Sequence, residues 1–205
     1  MKTIMHMHPS STGYSEFVEP DDVSTECIKI SLPLLHQFRP RTLIQHKDIP
    51  LQICCSGLKV RFGVRPTFLS NSGRPKLNIV VDIPENLGKV LQFCDDLAQR
   101  SSPESHDTSE WRPLIKKYGN VNRPTVRLNI PTVISGDTAI YSTDIQKKER
   151  NGTVQELVFS KIDAAELNSL IRGQLVDAFF SLEMYDYQQN AGIRLVANRL
   201  VIHSE

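Results

Sequence analysis

The chain has 205 residues, of which 24 are Lys or Arg and 23 are Asp or Glu, and 40% are hydrophobic. These proportions are those of a soluble globular protein, and the length suits one domain of ordinary size with an insertion. No run approaches the roughly 18 apolar residues of a membrane span, and the first residues lack the apolar region of a signal peptide. The four cysteines show no CxxC spacing, so we expect reduced thiols in an intracellular protein.

The formal net charge of +1 hides an uneven distribution. Residues 57–81 and residues 111–130 each carry five Lys or Arg residues and no acidic residue. Residues 14–26 carry five acidic residues and no basic one. This asymmetry predicts a basic groove with an acidic segment apart from it. The alternative is that Lys and Arg simply solvate exposed strand and loop faces.

The chain divides into an arm and one folded domain. Residues 1–24 are polar and acidic with little apolar surface to bury, so we predict a flexible acidic arm. Residues 25–205 form the domain, with a polar linker near residues 100–110 that we expect to be mobile. His6 and His8 in the arm lack preorganised partners, and we predict no metal site.

Alternation of apolar and polar residues predicts a series of β-strands, with a further short strand near residues 42–44. The predicted strands are residues 27–32, 51–55, 58–65, 76–83, 125–130, 139–141, 154–159, 172–187 and 193–202. The second and third are either separate strands or one long strand broken at Ser56 and Gly57. Most of the stretch from residue 132 to residue 153 is predicted to be loop.

Two segments have the signals of helices. Apolar residues recur at helical spacing after Pro84 and predict a substantial helix over residues 84–100 that packs on the sheet. Asp163 and Glu166 predict the start of a second, short helix.

Residues 111–119 contain the only Trp, three basic residues and a Tyr. Cations interleaved with aromatic rings are typical of a surface that binds single strands, because cations neutralise phosphates and rings stack on bases. The alternative is a short amphipathic helix whose Trp111, Leu114 and Ile115 anchor it to the core, and both can hold at once.

The last two predicted strands are joined by a polar connection over residues 188–192. Gly173 opens the first of them, where a barrel strand often bends. Tyr185 and Tyr187 share one strand face, while Asp186 points away. Two exposed tyrosines on one face suit the stacking of unpaired bases. The alternative is that they plug a barrel mouth or form a dimer contact.

Motifs of enzyme chemistry are absent from the sequence. There is no GxxxxGK[ST], GxGxxG, HExxH or GxSxG pattern and no cluster of paired carboxylates. We therefore predict a protein that is not an enzyme and holds no cofactor. A thiol enzyme based on Cys54 or Cys94 is the catalytic alternative.

The order of elements predicts a mainly β fold. Strands interrupted by one substantial helix and closed by a final strand pair fit an OB-type, partly open β-barrel with an insertion. A β-sandwich is the alternative.

The final strand pair resembles that of a known family. Residues 181–187, a polar turn with Gly192, residues 193–195 and residues 200–202 look like the closing hairpin of the single-stranded DNA-binding proteins of T7-like phages and their relatives in large DNA viruses. In that hairpin, Ser-Leu precedes a Tyr and a second aromatic residue, and a Gly-containing turn follows.

The resemblance extends loosely to the strand at 76–83 and the helix after it. It implies that Tyr185 and Tyr187 belong to a base-stacking surface, and that bound DNA crosses the sheet face lined by basic residues. Those proteins commonly end in a long acidic tail that contacts replication partners, whereas the sequence here stops at Glu205. As a hypothesis, the acidic stretch 14–22 plays the part of that tail.

We therefore expect a non-catalytic, largely sequence-independent single-stranded DNA-binding protein of replication, recombination or repair. Replication proteins are expected partners, a homo-oligomer is compatible with the sequence, and no membrane partner is expected. The predicted DNA contacts are Arg61, Arg65, Phe68, Arg74, Lys76, Trp111, Lys116, Lys117, Tyr118, Arg123, Arg127, Tyr185, Tyr187 and Arg194. The alternatives are a protein-interaction module of a viral or replication assembly and an RNA-binding OB protein.

Overall fold

The computed structural model describes residues 17–31, 42–69, 75–101, 109–117, 123–135, 138–157 and 164–203. In these ranges the protein is mainly β, with the helices α1 (Glu85–Arg100) and α2 (Ala164–Ile171). The strands are β1 (Ile28–Ser31), β2 (Leu43–His46), β3 (Ile49–Pro50), β4 (Gln52–Leu69), β5 (Pro75–Asp82), β6 (Glu110–Arg112), β7 (Lys116–Lys117), β8 (Pro124–Ile130), β9 (Thr132–Ser135), β10 (Thr138–Tyr141), β11 (Asp144–Lys148), β12 (Val154–Glu156), β13 (Leu175–Tyr187) and β14 (Asn190–His203). Neither helix of the described chain has the length and apolar character needed to cross a membrane.

Five strands of the large sheet close into a ring in the order β4–β5–β8–β14–β13 and back to β4. All of these neighbours are antiparallel except β8 and β14, which run parallel. The closing pair is short, with Leu128 opposite Leu195 and Asn129 opposite Val196. The ring is therefore a partly open barrel of OB type, as predicted. The β-sandwich alternative is wrong.

The core is built from the inward-facing side chains of the barrel strands. Leu77, Ile79 and Val81 of β5 are 1% exposed or less, and Leu128 of β8 and Phe180 of β13 are fully buried. Each large apolar side chain that is fully buried contributes roughly 1.5–3 kcal/mol to folding.

Helix α1 covers one side of this core, and the predicted helix over residues 84–100 is confirmed. Leu87, Leu91 and Cys94 have no exposed surface, and they recur at the spacing that the sequence showed. Burial raises the pKa of the Cys94 thiol to about 12.

Strand β4 is continuous through Ser56 and Gly57, where the sequence predicts either two strands or one strand with a break. Gly57 has a φ of +67°, a conformation that glycine adopts without a steric penalty. Its N–H donates to a carboxylate oxygen of Asp177 over 2.9 Å. The pairing of β13 with β4 shifts register at the same place. The predicted break is thus a bulge inside one long strand.

The hairpin between β13 and β14 is tighter than predicted. Only Gln188 and Gln189 form the turn, with φ values of 50° and 62°, and β14 already begins at Asn190. The prediction of a connection over residues 188–192 is wrong because two residues in the left-handed region suffice for a hairpin turn. Gly173 was also misplaced. With a φ of +76° it follows the end of α2, and β13 begins only at Leu175.

The predicted flexible arm is wrong for residues 17–24, whereas residues 1–16 lie outside the described part. Val18 forms backbone hydrogen bonds with Gln52 and Cys54 of β4, and each bond is 3.0 Å long. Pro20 and Val23 are buried. The N-terminal segment thus occupies an edge of β4 that β5 does not reach, which the acidic composition did not indicate.

The predicted loop over residues 132–153 contains more strand than expected. Strands β9 and β10 form an antiparallel pair, and β11 adds to the large sheet in parallel with β14. Short strands whose partners are distant in sequence carry only a weak local signal, which is why β11 was missed.

Candidate nucleic-acid interface

The barrel is open where the N-terminal ends of β8 and β14 diverge, and residues 109–117 bridge that opening. We call this segment the strap. Its first part, β6, pairs in parallel with β14 at residues 190–192. Its last part, β7, pairs antiparallel with β8 at Thr125 and Pro124. Between them Leu114 is 8% exposed and belongs to the core. The strap is therefore extended, and the alternative of an amphipathic helix over this segment is wrong.

A groove of about 510 Å³ runs along the strap, the outer face of β5 and β8, and the hairpin of β13 and β14. We call it the basic groove. It is lined by Val80, Arg112, Pro113, Leu114, Lys116, Thr125, Val126, Arg127, Asn129, Tyr185, Tyr187, Ile193 and Arg194. Four of these described residues are cationic, two are tyrosines and none is acidic. Such a lining suits a chain of phosphates and flat bases.

Alternation along β8 places the polar contribution to the groove. Val126, Leu128 and Ile130 point into the core, so Arg127 and Asn129 between them face outward. Arg127 lies opposite Val80 of β5. The Asn129 amide donates to the carbonyl oxygen of Leu195 over 2.9 Å, which holds β8 to β14 beside their short pairing.

The two tyrosines of β13 differ in exposure. Tyr187 is 69% exposed, whereas Tyr185 is half-buried. Burial raises the pKa of the Tyr185 hydroxyl, and Arg112, Arg127 and Arg194 act against that rise. Tyr185 therefore lies within the electrostatic reach of three groove arginines, and Tyr187 extends the aromatic surface towards the hairpin tip.

The four cations of the basic groove fall into two pairs. Arg194 binds the Glu183 carboxylate at 2.7 Å, and Arg112 binds that of Glu110 at 2.9 Å. By contrast, Lys116 and Arg127 are exposed and form no salt bridge with any described residue. These two are the cations most available to phosphates.

Gly192 makes the contact between strap and hairpin possible. A Cβ atom at this position would lie 2.9 Å from the backbone oxygen of Arg112 and 3.2 Å from the hydroxyl of Tyr185. Gly192 also pairs directly with Tyr185 across the hairpin. Its role is close backbone approach, and not the turn that the sequence indicated.

Asp95 of α1 is buried beneath the strap, with 5% exposure. Its two carboxylate oxygens accept hydrogen bonds from the indole N–H of Trp111 and the backbone N–H of Leu114, and each bond is 3.2 Å long. Burial raises the pKa of this carboxyl, and the two hydrogen bonds oppose the rise. A buried carboxylate is tolerated when donors satisfy it. The helical pattern placed Asp95 in α1, but no sequence signal identified its partners.

The structure brings together five of the predicted contact residues in the basic groove. They are Lys116, Arg127, Tyr185, Tyr187 and Arg194. Lys117 and Arg123 are exposed and lie close in sequence to groove residues, but they do not line the basic groove. Arg112, Asn129 and Gly192 were missed as site residues. Arg112 belongs to the basic segment 111–130, but its composition alone does not distinguish Arg112 from the other cations there.

Other predicted contact residues lie elsewhere or cannot be located. Arg61 is 20% exposed and donates to both carboxylate oxygens of Asp82, so its charge is already paired. Arg65, Phe68 and Lys76 belong to β4 and β5 by their backbone, and Arg74 and Tyr118 lie outside the described residues.

Trp111 lies on a second groove, of about 410 Å³, between the hairpin and strands β2 and β3. This groove shares Tyr185 and Arg194 with the basic groove but also contains the carboxylates of Glu183 and Asp186. Negative charges make it a poor path for phosphates. The docked acidic residues of segment 17–24 line neither groove, and Asp21 instead binds Asn86 at 2.9 Å.

No protein-family model matches the chain. Among curated proteins it is similar to three from Arabidopsis thaliana. Protein NEN1 is 46% identical over 202 residues, which are 95% of this chain and 42% of the relative. Protein NEN3 is 44% identical over 198 residues, covering 95% and 39%. Protein NEN2 is 44% identical over 199 residues, covering 94% and 41%. The chain thus spans about two fifths of the length of the curated relatives that it matches.

Similar solved structures are single-stranded DNA-binding proteins of bacteriophages. The complex of the bacteriophage Enc34 protein with single-stranded DNA has a TM-score of 0.48 and 15% identity, over 85% of this chain and 95% of the other. The gp2.5 protein of bacteriophage T7 has a TM-score of 0.49 and 11% identity, over 75% and 91%. The relatives that match in sequence are plant proteins, so membership of the phage and viral family stays a prediction.

Proposed function

We propose that this chain binds single-stranded DNA along the basic groove, without catalysis and largely independently of base sequence. The observation that carries the proposal is the groove itself, where Lys116 and Arg127 form no salt bridge with a described residue, lie beside Tyr185 and Tyr187, and meet no acidic residue in the described lining. Cations there neutralise phosphates, and the rings stack on unpaired bases, which have a π-face whatever their identity.

The position of the basic groove supports the proposal. In an OB barrel, oligonucleotides bind the face of the second and third strands and the loops that join the first to the second and the fourth to the fifth. Here β5 and β8 are the second and third strands of the ring, and the turn at Gln188 and Gln189 joins the fourth to the fifth. The groove thus occupies the surface that this fold uses for oligonucleotides.

A titration tests the proposal. A fluorescent oligo-dT of about 30 nucleotides, longer than the site of one OB fold, is titrated with the protein at low and moderate salt. Duplex DNA and oligo-U serve as competitors. We expect tight binding that falls steeply with salt and survives duplex competitor, because a paired base cannot stack on a tyrosine. Absence of binding at low salt would refute the proposal, and stronger competition by oligo-U would redirect it to RNA.

A further inference from the structure

The strap contributes half of the cations in the basic groove, yet it is a short segment between two barrel strands. Arg112 and Lys116 belong to it, and Arg127 and Arg194 belong to β8 and β14. Short strands of two or three residues gain little from their own backbone pairing. The strap therefore needs other contacts to hold its cations in place.

Asp95 supplies such contacts at the middle of the strap. Its carboxylate binds Trp111 and Leu114, which flank Arg112 and Pro113 on either side. The carboxylate is buried and does not line the basic groove. Burying a carboxylate is costly unless donors satisfy it. The two donors therefore favour keeping both the indole ring of Trp111 and the backbone of Leu114 against Asp95.

We propose that Asp95 is a positioning residue for single-strand binding, which acts by holding the strap so that Arg112 and Lys116 face the basic groove. This inference rests on the proposed function. Asp95 touches no nucleic acid, and its contribution to affinity passes entirely through Trp111 and Leu114.

The test compares Asp95→Ala with Asp96→Ala. Asp96 is the adjacent residue of α1, is exposed, and accepts a hydrogen bond from Gln92 on the same helix. Both variants lose one negative charge, so any general electrostatic effect is matched. Two readouts are taken on the full chain: affinity for oligo-dT as a function of salt, and emission and acrylamide quenching of Trp111, the single tryptophan.

With Asp95→Ala we expect emission at longer wavelength, stronger quenching, about tenfold weaker oligo-dT binding and a salt slope lower by at least about 1, because Lys116 loses its phosphate contact and Arg112, which is paired with Glu110, loses part of its own. Asp96→Ala should change neither readout. Released tryptophan with unchanged affinity would overturn the inference and leave the proposed function intact. No binding by the unaltered protein would instead refute the proposed function, and the inference with it.

A second variant keeps the test valid if Asp95→Ala folds poorly. Trp111→Phe keeps an aromatic ring but removes the indole N–H, and so breaks one strap contact from the other side. If Asp95 acts through the strap, Trp111→Phe alone also weakens oligo-dT binding, and an unchanged affinity would contradict the proposal. Where Asp95→Ala folds, the double variant binds oligo-dT no more weakly than Asp95→Ala alone. Additive losses would mean that Asp95 and Trp111 act separately, which contradicts the proposal.

Discussion

At the scale of single residues, the basic groove contains side chains that the fold itself does not require. Tyr187 is the most exposed large apolar side chain of the described chain, at 69%. Arg127 projects outward between the core residues Val126 and Leu128, and it forms no salt bridge with a described residue. Both side chains add little to folding stability, so they are available to the single strand that we propose binds here.

Replacement of the tyrosines tests this directly. Each stacked base contributes roughly 1–3 kcal/mol, so the double change Tyr185→Ala and Tyr187→Ala should weaken oligo-dT binding by well over tenfold. Phe at both positions should restore most of the affinity, because the rings remain. Leu175→Ala, at an exposed site near the other end of β13, is the control and should leave affinity unchanged. Equal affinity of the double Ala variant would exclude stacking on this pair.

Arg127→Ala tests the phosphate contact. Loss of one such contact should weaken binding to all single-stranded sequences alike and lower the slope of log affinity against log salt by about 1. Lys89→Ala removes the same charge from the exposed face of α1 and should leave the slope unchanged. Fluorescence titrations at four salt concentrations measure both slopes. A loss confined to particular base sequences would instead place Arg127 against base edges.

The thiols offer a prediction that bears on the enzyme alternative. Burial raises the pKa of Cys55 to about 11 and that of Cys94 to about 12, and the thiolate is the reactive form. Cys27 is exposed. At pH 8, native protein treated with iodoacetamide should be alkylated first at Cys27, and Cys27→Ser should abolish this fast phase in peptide mass spectrometry. Rapid alkylation of Cys94 would contradict the described burial and revive a thiol enzyme.

At the scale of elements, the site depends on how the strap meets the hairpin. β6 approaches β14 closely because Gly192 has no side chain between the Arg112 backbone and the Tyr185 ring. Asp95 holds the strap from below, and the hairpin tip adds a hydrogen bond from the Glu110 N–H to the carbonyl oxygen of Gln189, over 2.8 Å. The strap side of the groove is therefore held by contacts among three elements: the strap, helix α1 and the hairpin of β13 and β14.

A pair of glycine substitutions tests this assembly. Gly192→Ala should lower the free energy of unfolding by roughly 1–3 kcal/mol, because backbone and not a flexible side chain must move, and it should also weaken oligo-dT binding. Gly88→Ala, inside α1, is the matched change. A Cβ atom at Gly88 would lie 3.7 Å from the Ile83 side chain, which is an ordinary contact distance. That variant should gain roughly 0.5–1 kcal/mol. Urea denaturation measures both, and a neutral Gly192→Ala would show that the strap is not held so closely.

Elements with strong local signals could be predicted from the sequence. The apolar spacing of Leu87, Leu91 and Cys94 gave α1, and alternation gave β8 with Arg127 facing outward. Tyr185 and Tyr187 were correctly placed on one face of the closing hairpin. These features depend only on periodicities that a few neighbouring residues determine.

Features that depend on distant partners could not be predicted. The paired charge of Arg61 is set by Asp82 in the next strand, and the strap is extended because β14 and β8 are available on either side of it. The role of Gly192 likewise depends on β6. In each case the deciding contact joins two different elements, so the composition of one segment carried no information about it.

At the scale of the whole molecule, the opening between β8 and β14 links the barrel to the proposed function. A fully paired ring would bury that edge, whereas here the strap fills it and adds cations beside the hairpin tyrosines. The surface that results lies on the oligonucleotide-binding face of an OB fold. The chain spans about two fifths of its curated relatives, so we propose the activity for this domain.

Photo-crosslinking tests the central claim most directly. An oligo-dT carrying iodo-deoxyuridine is bound at low salt and irradiated, and the attached peptides are identified by mass spectrometry. The account predicts crosslinks at Tyr185 and Tyr187, and their loss in the variant with Ala at both positions. Attachment confined to segments outside the basic groove, such as the exposed faces of α1 or β12, would contradict it.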